Sequence, residues 1–490
     1  MDNFERFIVE NEGADTVRLV MSRRVWPVPG DPGLAGLDAK SLAINTIEGR
    51  RRLRKKLPEW VACTGLVYPS SLCAEQCSSS DTARYKALIV QRILNEYVGS
   101  GASTSSATEK IMVTEPVEVT TTTATENDPV TEPVEVTSGT RKAGKIADLT
   151  GGLGVDSWAF SEVAGEVLYN EMNPELAAAA RHNFKELGVT NIFIKNQEAT
   201  ADSLEDLIGD FKPDVIFIDP ARRDSAGKKV FLLEDCSPDV LKMLPELFRI
   251  SRFVLLKLSP MADISMAVER LDRTYEAYRQ DTCGDGWNGQ WVREVHVVAS
   301  GGECKELLIL LDRKHEGGYS LTCREDGKTL TFTSKEIAHA KAALPDSTFA
   351  RIIFEPGKSL TKAGAFNALC ERFRLVKLAR FTHLYTIGEP LSETELEERI
   401  KQFKDFGKVY SVKEILPLNK ASIKDIGKRY PHSEVSAKNI PMSSDELRAR
   451  LKVKSGDDAH IFGARIETPY NEDNYLIVTE PSTIKNKNQS

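Results

Sequence analysis

A chain of 490 residues is longer than one hydrophobic core usually serves, so roughly two to four domains are expected. Its 41% hydrophobic and 28% charged residues are those of a water-soluble globular protein, and no run reaches the roughly 18 apolar residues of a membrane span, so no membrane partner is expected. The net charge of −7 argues at first against nucleic acid; yet residues 101–140 hold seven acids and one base, −6 of that total, and a remainder of −1 has room for local basic patches.

The first residues, MDNFERFIVENEGAD, are acidic and polar, unlike a secretory signal. Eight cysteines are scattered along the chain and read as reduced thiols of a cytoplasmic protein. Cys73 and Cys77 are the nearest pair, and no His or Cys pair of zinc-site spacing completes a site, so no metal is expected. Residues 1–98 read as a mostly helical region. TARYKALIVQRILNEYV (82–98) has apolar positions at helical spacing, with Ser80 or Asp81 as its cap. GRRRLRKKLPEW (49–60) carries six bases, for which a solvated helix face and a phosphate-binding patch are both open readings.

Residues 99–143 change character. VTEPVEVT occurs twice, at 113–120 and 130–137, separated by a Thr-rich spacer. Such a segment lacks the apolar surface to offset its ordering entropy, and two copies are too few for a solenoid. A disordered linker is expected here.

From 144 the chain alternates strand and helix. KIADLTGGLGVDS is a strand, a Gly-rich turn and a helix start; EVLYNEMN (166–173) is a second strand ending in acid. PELAAAARHNFKELG (174–188) is a helix with Pro in its first turn and Gly past its end. NIFIKNQE (191–198), PDVIFIDP (213–220) and RFVLLKLSP (252–260) are further strands, the second apolar throughout and so buried on both faces. This rhythm predicts a doubly wound parallel sheet. REVHVVAS and CKELLILLDR, joined by GGE, predict an antiparallel hairpin closing it. After 316 the chain reads as separate modules: a hairpin at 319–334 around Asp326-Gly327, a helix at 362–373, and short strands and helices over 414–485.

Ligands of an open parallel sheet sit outside the carboxyl ends of its strands, where DLTGGLG (148–154) lies. A dinucleotide needs G-x-G-x-x-G, and Ser157 stands where the third glycine should be. S-adenosylmethionine makes other demands, and the strand ends meet them. Asp148, ending the first strand, suits the ammonium; Glu171, ending the second, suits the ribose diol; Met172 suits the adenine face; and Glu198, with Gln197 as competitor, suits the adenine amino group. Each acid alone would pass for a solvated loop residue.

These elements in this order, over roughly 144–312, resemble a class I S-adenosylmethionine-dependent methyltransferase, with Thr150 in place of the usual first loop glycine and Gly151, Gly152 and Gly154 following. More narrowly, LCAEQCSSSDTARYKA (72–87), DLTGGLGVDS (148–157), IDPARRD (218–224) and EPGKSLTKAGAF (355–366) together resemble bacterial methyltransferases with a ferredoxin-like module and a C-terminal THUMP-like domain. The resemblance implies an α/β architecture: a Rossmann-like seven-stranded methyltransferase sheet with an antiparallel terminal hairpin (144–345), an N-terminal helical region, and C-terminal α+β modules, ferredoxin-like (346–413) and THUMP-like (414–485). It also implies a structured RNA, rRNA or tRNA, as substrate. The Lys- and Arg-rich stretch NKASIKDIGKRYPHSEVSAKNIPMSSDELRARLKVKSG suits phosphate contact.

The methyl acceptor is expected at the end of the fourth strand. There Asp219 and the backbone at Pro220 are placed to orient an amine for in-line transfer, the proline ring holding the turn rigid. General-base action by Asp219, and an arginine pinning it, are the competing readings. Arg222 and Arg223 suit stacking on a base or gripping a phosphate. A carbon-methylating relative would place a cysteine after the fifth strand; KLSPMAD has Ser259 there, which favours N-methylation, with O-methylation behind it. Lys257 is open to two readings, an edge lysine or one facing the mouth of the site. A small-molecule or protein acceptor, a non-catalytic RNA-binding protein and a nicotinamide-dependent oxidoreductase are the alternatives.

Overall fold

The computed structural model describes residues 2–21, 25–101, 143–222, 233–282 and 290–481. Most of the expected linker, both VTEPVEVT copies and Arg223 lie outside them. The chain packs as two compact units, one running to Ile218 with Arg249–Ser251, the other holding Asp219–Phe248 and the chain from Arg252 onward.

The first unit begins with helices, the longest being α1 (Ala39–Leu53) and α2 (Ser80–Gly101). Part of the basic stretch is spent inside the fold, while Arg52, Arg54 and Lys55 are exposed. Arg50 is 4% exposed and donates to the carbonyls of Cys63 (3.1 Å) and Val61 (2.9 Å). Arg51 donates to the carbonyls of Glu12 and Ala14, Arg54 pairs with Glu12 at 2.8 Å, and Lys56 donates to the Glu75 carbonyl at 2.7 Å. These cations knit the N-terminal helices together.

Four parallel strands follow: β1 (Lys145–Asp148), β2 (Glu166–Asn170), β3 (Ile192–Lys195) and β4 (Val215–Ile218), in the order β4-β1-β2-β3. Every residue of β4 is buried, as its unbroken apolar run requires, each side chain contributing about 1.5–3 kcal/mol. α3 (Val155–Ser161) follows the Gly-rich loop. α4 (Pro174–Glu186) starts under the Asn173 side chain, which accepts from the N–H groups of Glu175 (2.9 Å) and Leu176 (3.3 Å). α4 is also held by loops of the N-terminal region: Asn183 exchanges two 2.9 Å bonds with the Val67 backbone, and His182 lies between Asp31 (2.8 Å) and the Gly65 carbonyl (2.9 Å).

In the second unit β5 (Phe253–Leu258), β6 (Val292–Ser300), β7 (Glu303–Asp312), β8 (Ser320–Glu325) and β9 (Lys328–Thr333) run in the order β9-β8-β6-β7-β5. The β6–β7 hairpin is antiparallel, as expected. The 319–334 hairpin turns at Asp326 (φ 43°) and Gly327 (φ 90°), but it is not a separate module: β8 lies parallel to β6 and widens the sheet. The helix expected over 362–373 is two, Lys358–Ala363 and Phe366–Phe373, because Gly364 takes a left-handed φ of 69° and ends the first.

A second sheet has seven strands. β10 (Ile352–Pro356), β11 (Val376–Ala379), β12 (Thr382–Thr386), β13 (Gly407–Pro417), β14 (His432–Lys438), β15 (Lys454–Glu467) and β16 (Glu472–Pro481) run in the order β11-β12-β10-β13-β16-β15-β14. Alternate residues of β15 and β16 feed opposite cores, Phe462 and Ile477 on one face, Ile461 and Val478 on the other. The sheet curls until its ends meet: Thr382 donates to the Arg465 carbonyl at 3.2 Å, and Lys438 pairs with Glu355 at 2.6 Å. Helices Lys420–Arg429 and Ser444–Leu451 cover the outer core. They approach so closely that a methyl on Gly427 would sit 2.0 Å from the Leu451 carbonyl oxygen.

Candidate active site

The loop after β1 is built from its own hydrogen bonds. Asp148 is fully buried; one carboxylate oxygen accepts the Thr150 N–H (3.1 Å) and the other the Ser157 hydroxyl (2.6 Å). Ser157 therefore has a task where a dinucleotide fingerprint would have glycine: it clamps the acid that ends β1. Gly151 donates to the Asn170 carbonyl at 2.7 Å, and a methyl on it would lie 2.1 Å from the Tyr169 ring. Gly154 (φ 92°) leaves no room beside Phe184, where the added methyl would lie 2.6 Å from the ring. Gly152 differs. Its φ is 54°, and a methyl there would meet nothing within 4 Å, so its backbone borders open space that a ligand can enter.

The end of β2 closes around this loop. Glu171 is 9% exposed; its two carboxylate oxygens accept the N–H of Gly152 (2.8 Å) and of Asn173 (2.8 Å). Each oxygen keeps acceptor capacity for a further donor. The Tyr169 hydroxyl donates to the Gly152 carbonyl at 2.5 Å, and burial, reinforced by Glu171 and Asp148, raises its pKa well above the usual phenol value. The phenol is thus fixed as a donor.

Asn170 joins β2 to β3: it donates to the carbonyls of Leu149 (3.1 Å) and Gln197 (3.0 Å) and accepts the Gln197 N–H (3.1 Å). Met172 is 63% exposed beside Glu171, and the Gln197 and Glu198 side chains are exposed beyond β3. The structure thus gathers Asp148, Thr150, Gly151, Gly152 and Glu171 into one bonded set, with Met172 and Gln197 tied to its rim. Tyr169, Asn170 and Ser157 belong to it although sequence reasoning gave them no role. In the sequence Tyr169 and Asn170 are only the last residues before the acid that ends the second strand, and an aromatic–polar pair there carries no distinguishing signal.

In the second unit Asp219 directly follows the last residue of β4 in the chain. Its carboxylate lies 2.5 Å from the Lys257 Nζ on β5, with the aspartate side chain 36% and the lysine 14% exposed. Lys257 is therefore no free edge lysine. Pro220 is buried, and Ala221–Arg222 forms a short antiparallel pair with Cys236–Ser237. The Arg222 side chain and Arg223 lie outside what the structure describes. Among the described residues no group of His, Cys, Asp and Glu has the arrangement of a metal site, and no helix is long and apolar enough to cross a membrane.

Known proteins share this architecture. Residues 353–393 match a ferredoxin-like domain family and residues 407–481 a THUMP domain-like family. A comparison with curated proteins finds no match. Among solved structures, a provisionally assigned methyltransferase from Porphyromonas gingivalis W83 is 25% identical and aligns over 98% of this chain and 97% of its own, with a TM-score of 0.69. An rRNA methylase from Streptococcus thermophilus, 11% identical, aligns over 36% of this chain and 89% of its own at a TM-score of 0.22, too low to carry an argument. Over nearly its whole length the chain thus has the fold of the Porphyromonas gingivalis protein, and its C-terminal part carries a ferredoxin-like domain and a THUMP-like domain.

Proposed function

We propose that this protein is an S-adenosylmethionine-dependent methyltransferase that methylates a base nitrogen in structured RNA. The observation that carries the cofactor reading is Glu171, oriented by the Gly152 and Asn173 N–H groups beside the open face of Gly152. A carboxylate so held, with lone pairs to spare, suits a ribose diol. Met172 would lie against adenine, and Gln197 or Glu198 would take its amino group. Asp148 was expected to contact the ammonium directly. Fully buried, with both oxygens engaged by Thr150 and Ser157, it acts in this proposal through the shape of the loop.

When bound, the cofactor supplies an electrophilic methyl group. The chain's task is to bring a nucleophile into line with it. Asp219, its carboxylate oriented by Lys257, would accept one N–H of the acceptor amine, and the backbone at Pro220 would accept the other, freeing the lone pair. The arginines after Pro220 would hold the RNA. The match of 407–481 to a THUMP-like family supports RNA over a small molecule or protein.

The test compares modified nucleosides, by mass spectrometry, in RNA from cells with and without this protein, alongside calorimetry of the purified chain. One methylated nucleoside should vanish with the protein, and S-adenosylhomocysteine should bind while NAD does not. Unchanged nucleosides and no methyl transfer to RNA would overturn the proposal.

A further inference from the structure

The segment 72–87 has so far carried no function. Two of its residues, Ser78 and Lys86, are joined to the first turn of α3, the helix that follows the Gly-rich loop. Lys86, on α2, is 0% exposed. Its Nζ lies 3.1 Å from Asp156 Oδ1 and donates to the Ser78 hydroxyl oxygen at 3.1 Å. The Ser78 hydroxyl in turn donates to Asp156 Oδ2 at 2.8 Å. These three side chains close a ring inside the protein. The next residue, Ser157, is the one that clamps Asp148.

A buried ion pair is a poor source of stability, because desolvation cancels most of the attraction. What the ring supplies is orientation. It fixes Asp156, and through the peptide bond it fixes Ser157, hence Asp148 and the Thr150 N–H. The N-terminal helices hold α3 in other ways too: Trp60 meets Trp158 edge-on at 6.1 Å, and the Arg84 guanidinium lies 5.5 Å from the Trp158 ring. Those contacts position the helix; the Lys86 ring reaches the residue beside the loop clamp.

We infer that Lys86 is a positioning residue for the cofactor loop, so that the N-terminal helical region sets the affinity of the site for its adenosyl ligand. The inference rests on the cofactor reading proposed above. It also accounts for the pairing of segments 72–87 and 148–157, which are far apart in sequence and bonded in the fold.

The probe is S-adenosylhomocysteine, its affinity for the full chain measured by calorimetry at a temperature where every variant is folded. Lys86→Met should weaken binding roughly tenfold, a coupling of ordinary size between linked sites. At saturating donor its methyl-transfer rate should stay within about twofold of the parent, so the loss falls on donor KM rather than kcat. His182→Ala loosens a clamp between α4 and the loop residues Asp31 and Gly65 of the N-terminal region, and should lower the melting temperature without moving the affinity. Should Lys86→Met fail to fold, Ser78→Ala opens the ring with the charges kept, and should weaken binding about threefold. Unchanged affinity in whichever of these two variants folds, or an equal loss in His182→Ala, overturns the inference. If the parent protein itself does not bind, the cofactor reading falls and this inference with it, a result distinct from binding that ignores Lys86.

Discussion

Lys257 holds Asp219 by an ion pair of 2.5 Å at the boundary between β4 and the DPARR segment. The pairing bears on what Asp219 does. A carboxylate held by a lysine is fixed in orientation, which suits accepting an N–H more than shuttling a proton. Asp219→Asn should lower methyl transfer by about 100-fold, the scale of a lost near-attack alignment, and leave S-adenosylhomocysteine affinity within about twofold. Lys257→Met should lower the rate about tenfold, with Lys257→Arg recovering part of it. Because the aspartate is 36% exposed, thermal unfolding should show a stability change of no more than about 1 kcal/mol in either single variant. Full activity in Asp219→Asn would remove this residue from the reaction.

The loop's tolerance for side chains gives a second prediction. An alanine methyl at Gly151 would lie 2.1 Å from Cε2 of Tyr169, a ring that is itself buried and bonded. Neither can shift without breaking the Tyr169–Gly152 bond. Gly151→Ala should cost about 1–3 kcal/mol of stability and abolish measurable binding of S-adenosylhomocysteine. Gly13→Ala, where an added methyl meets nothing within 4 Å, should change neither. Differential scanning calorimetry and titration calorimetry on both variants decide it.

Tyr169 also sets an alkaline limit. Its pKa is raised in the folded protein, so above about pH 10 the unfolded chain loses a phenol proton that the folded chain keeps. The unfolded state is then favoured, and stability present below pH 10 is lost as pH rises, at about 1.4 kcal/mol per pH unit for this one group. Tyr169→Phe should be less stable at neutral pH, by about 1 kcal/mol for the missing bond, and should show a shallower loss between pH 10 and 11. Identical slopes in urea titrations of the two proteins would contradict the assignment.

The sequence was legible where periodicity and punctuation agree. PELAAAARHNFKELG carries Pro, alternating faces and a terminal Gly, and α4 runs Pro174–Glu186 as those marks predict. The acid at the end of β2 could likewise be read, since strand-end acids stand out against an apolar run. The basic stretch 50–56 could not, because charge alone does not say whether a cation faces solvent or a carbonyl. Arg50 does the latter. Nor could the Lys86–Asp156 ring be seen, because its members are 70 positions apart and nothing in local pattern marks a lysine as buried. Lys257 is open to two readings for the same reason: its partner Asp219 stands 38 positions away in the chain, a tertiary fact.

The RNA half of the proposal makes its own prediction on helix Lys420–Arg429. Lys420, Lys424 and Lys428 recur every four residues along one side and are all exposed. Arg429, the other cation near them, is engaged by Glu414 and by Asp425 at 2.8 Å. That pairing neutralises the helix's acid and leaves the three lysines as a stripe of positive charge. If it follows an RNA backbone, each ammonium displaces one condensed counterion, and each contributes about 0.7–0.9 to the slope of log affinity against log salt. Replacing all three by glutamine should therefore reduce that slope by about 2–3 and weaken binding to total cellular RNA at low salt, with thermal stability unchanged because all three are solvated. Filter binding across a salt series measures both quantities. A triple variant with the parent's slope would place the phosphate contacts on another surface, and a parent with no salt dependence at all would turn the C-terminal module away from RNA.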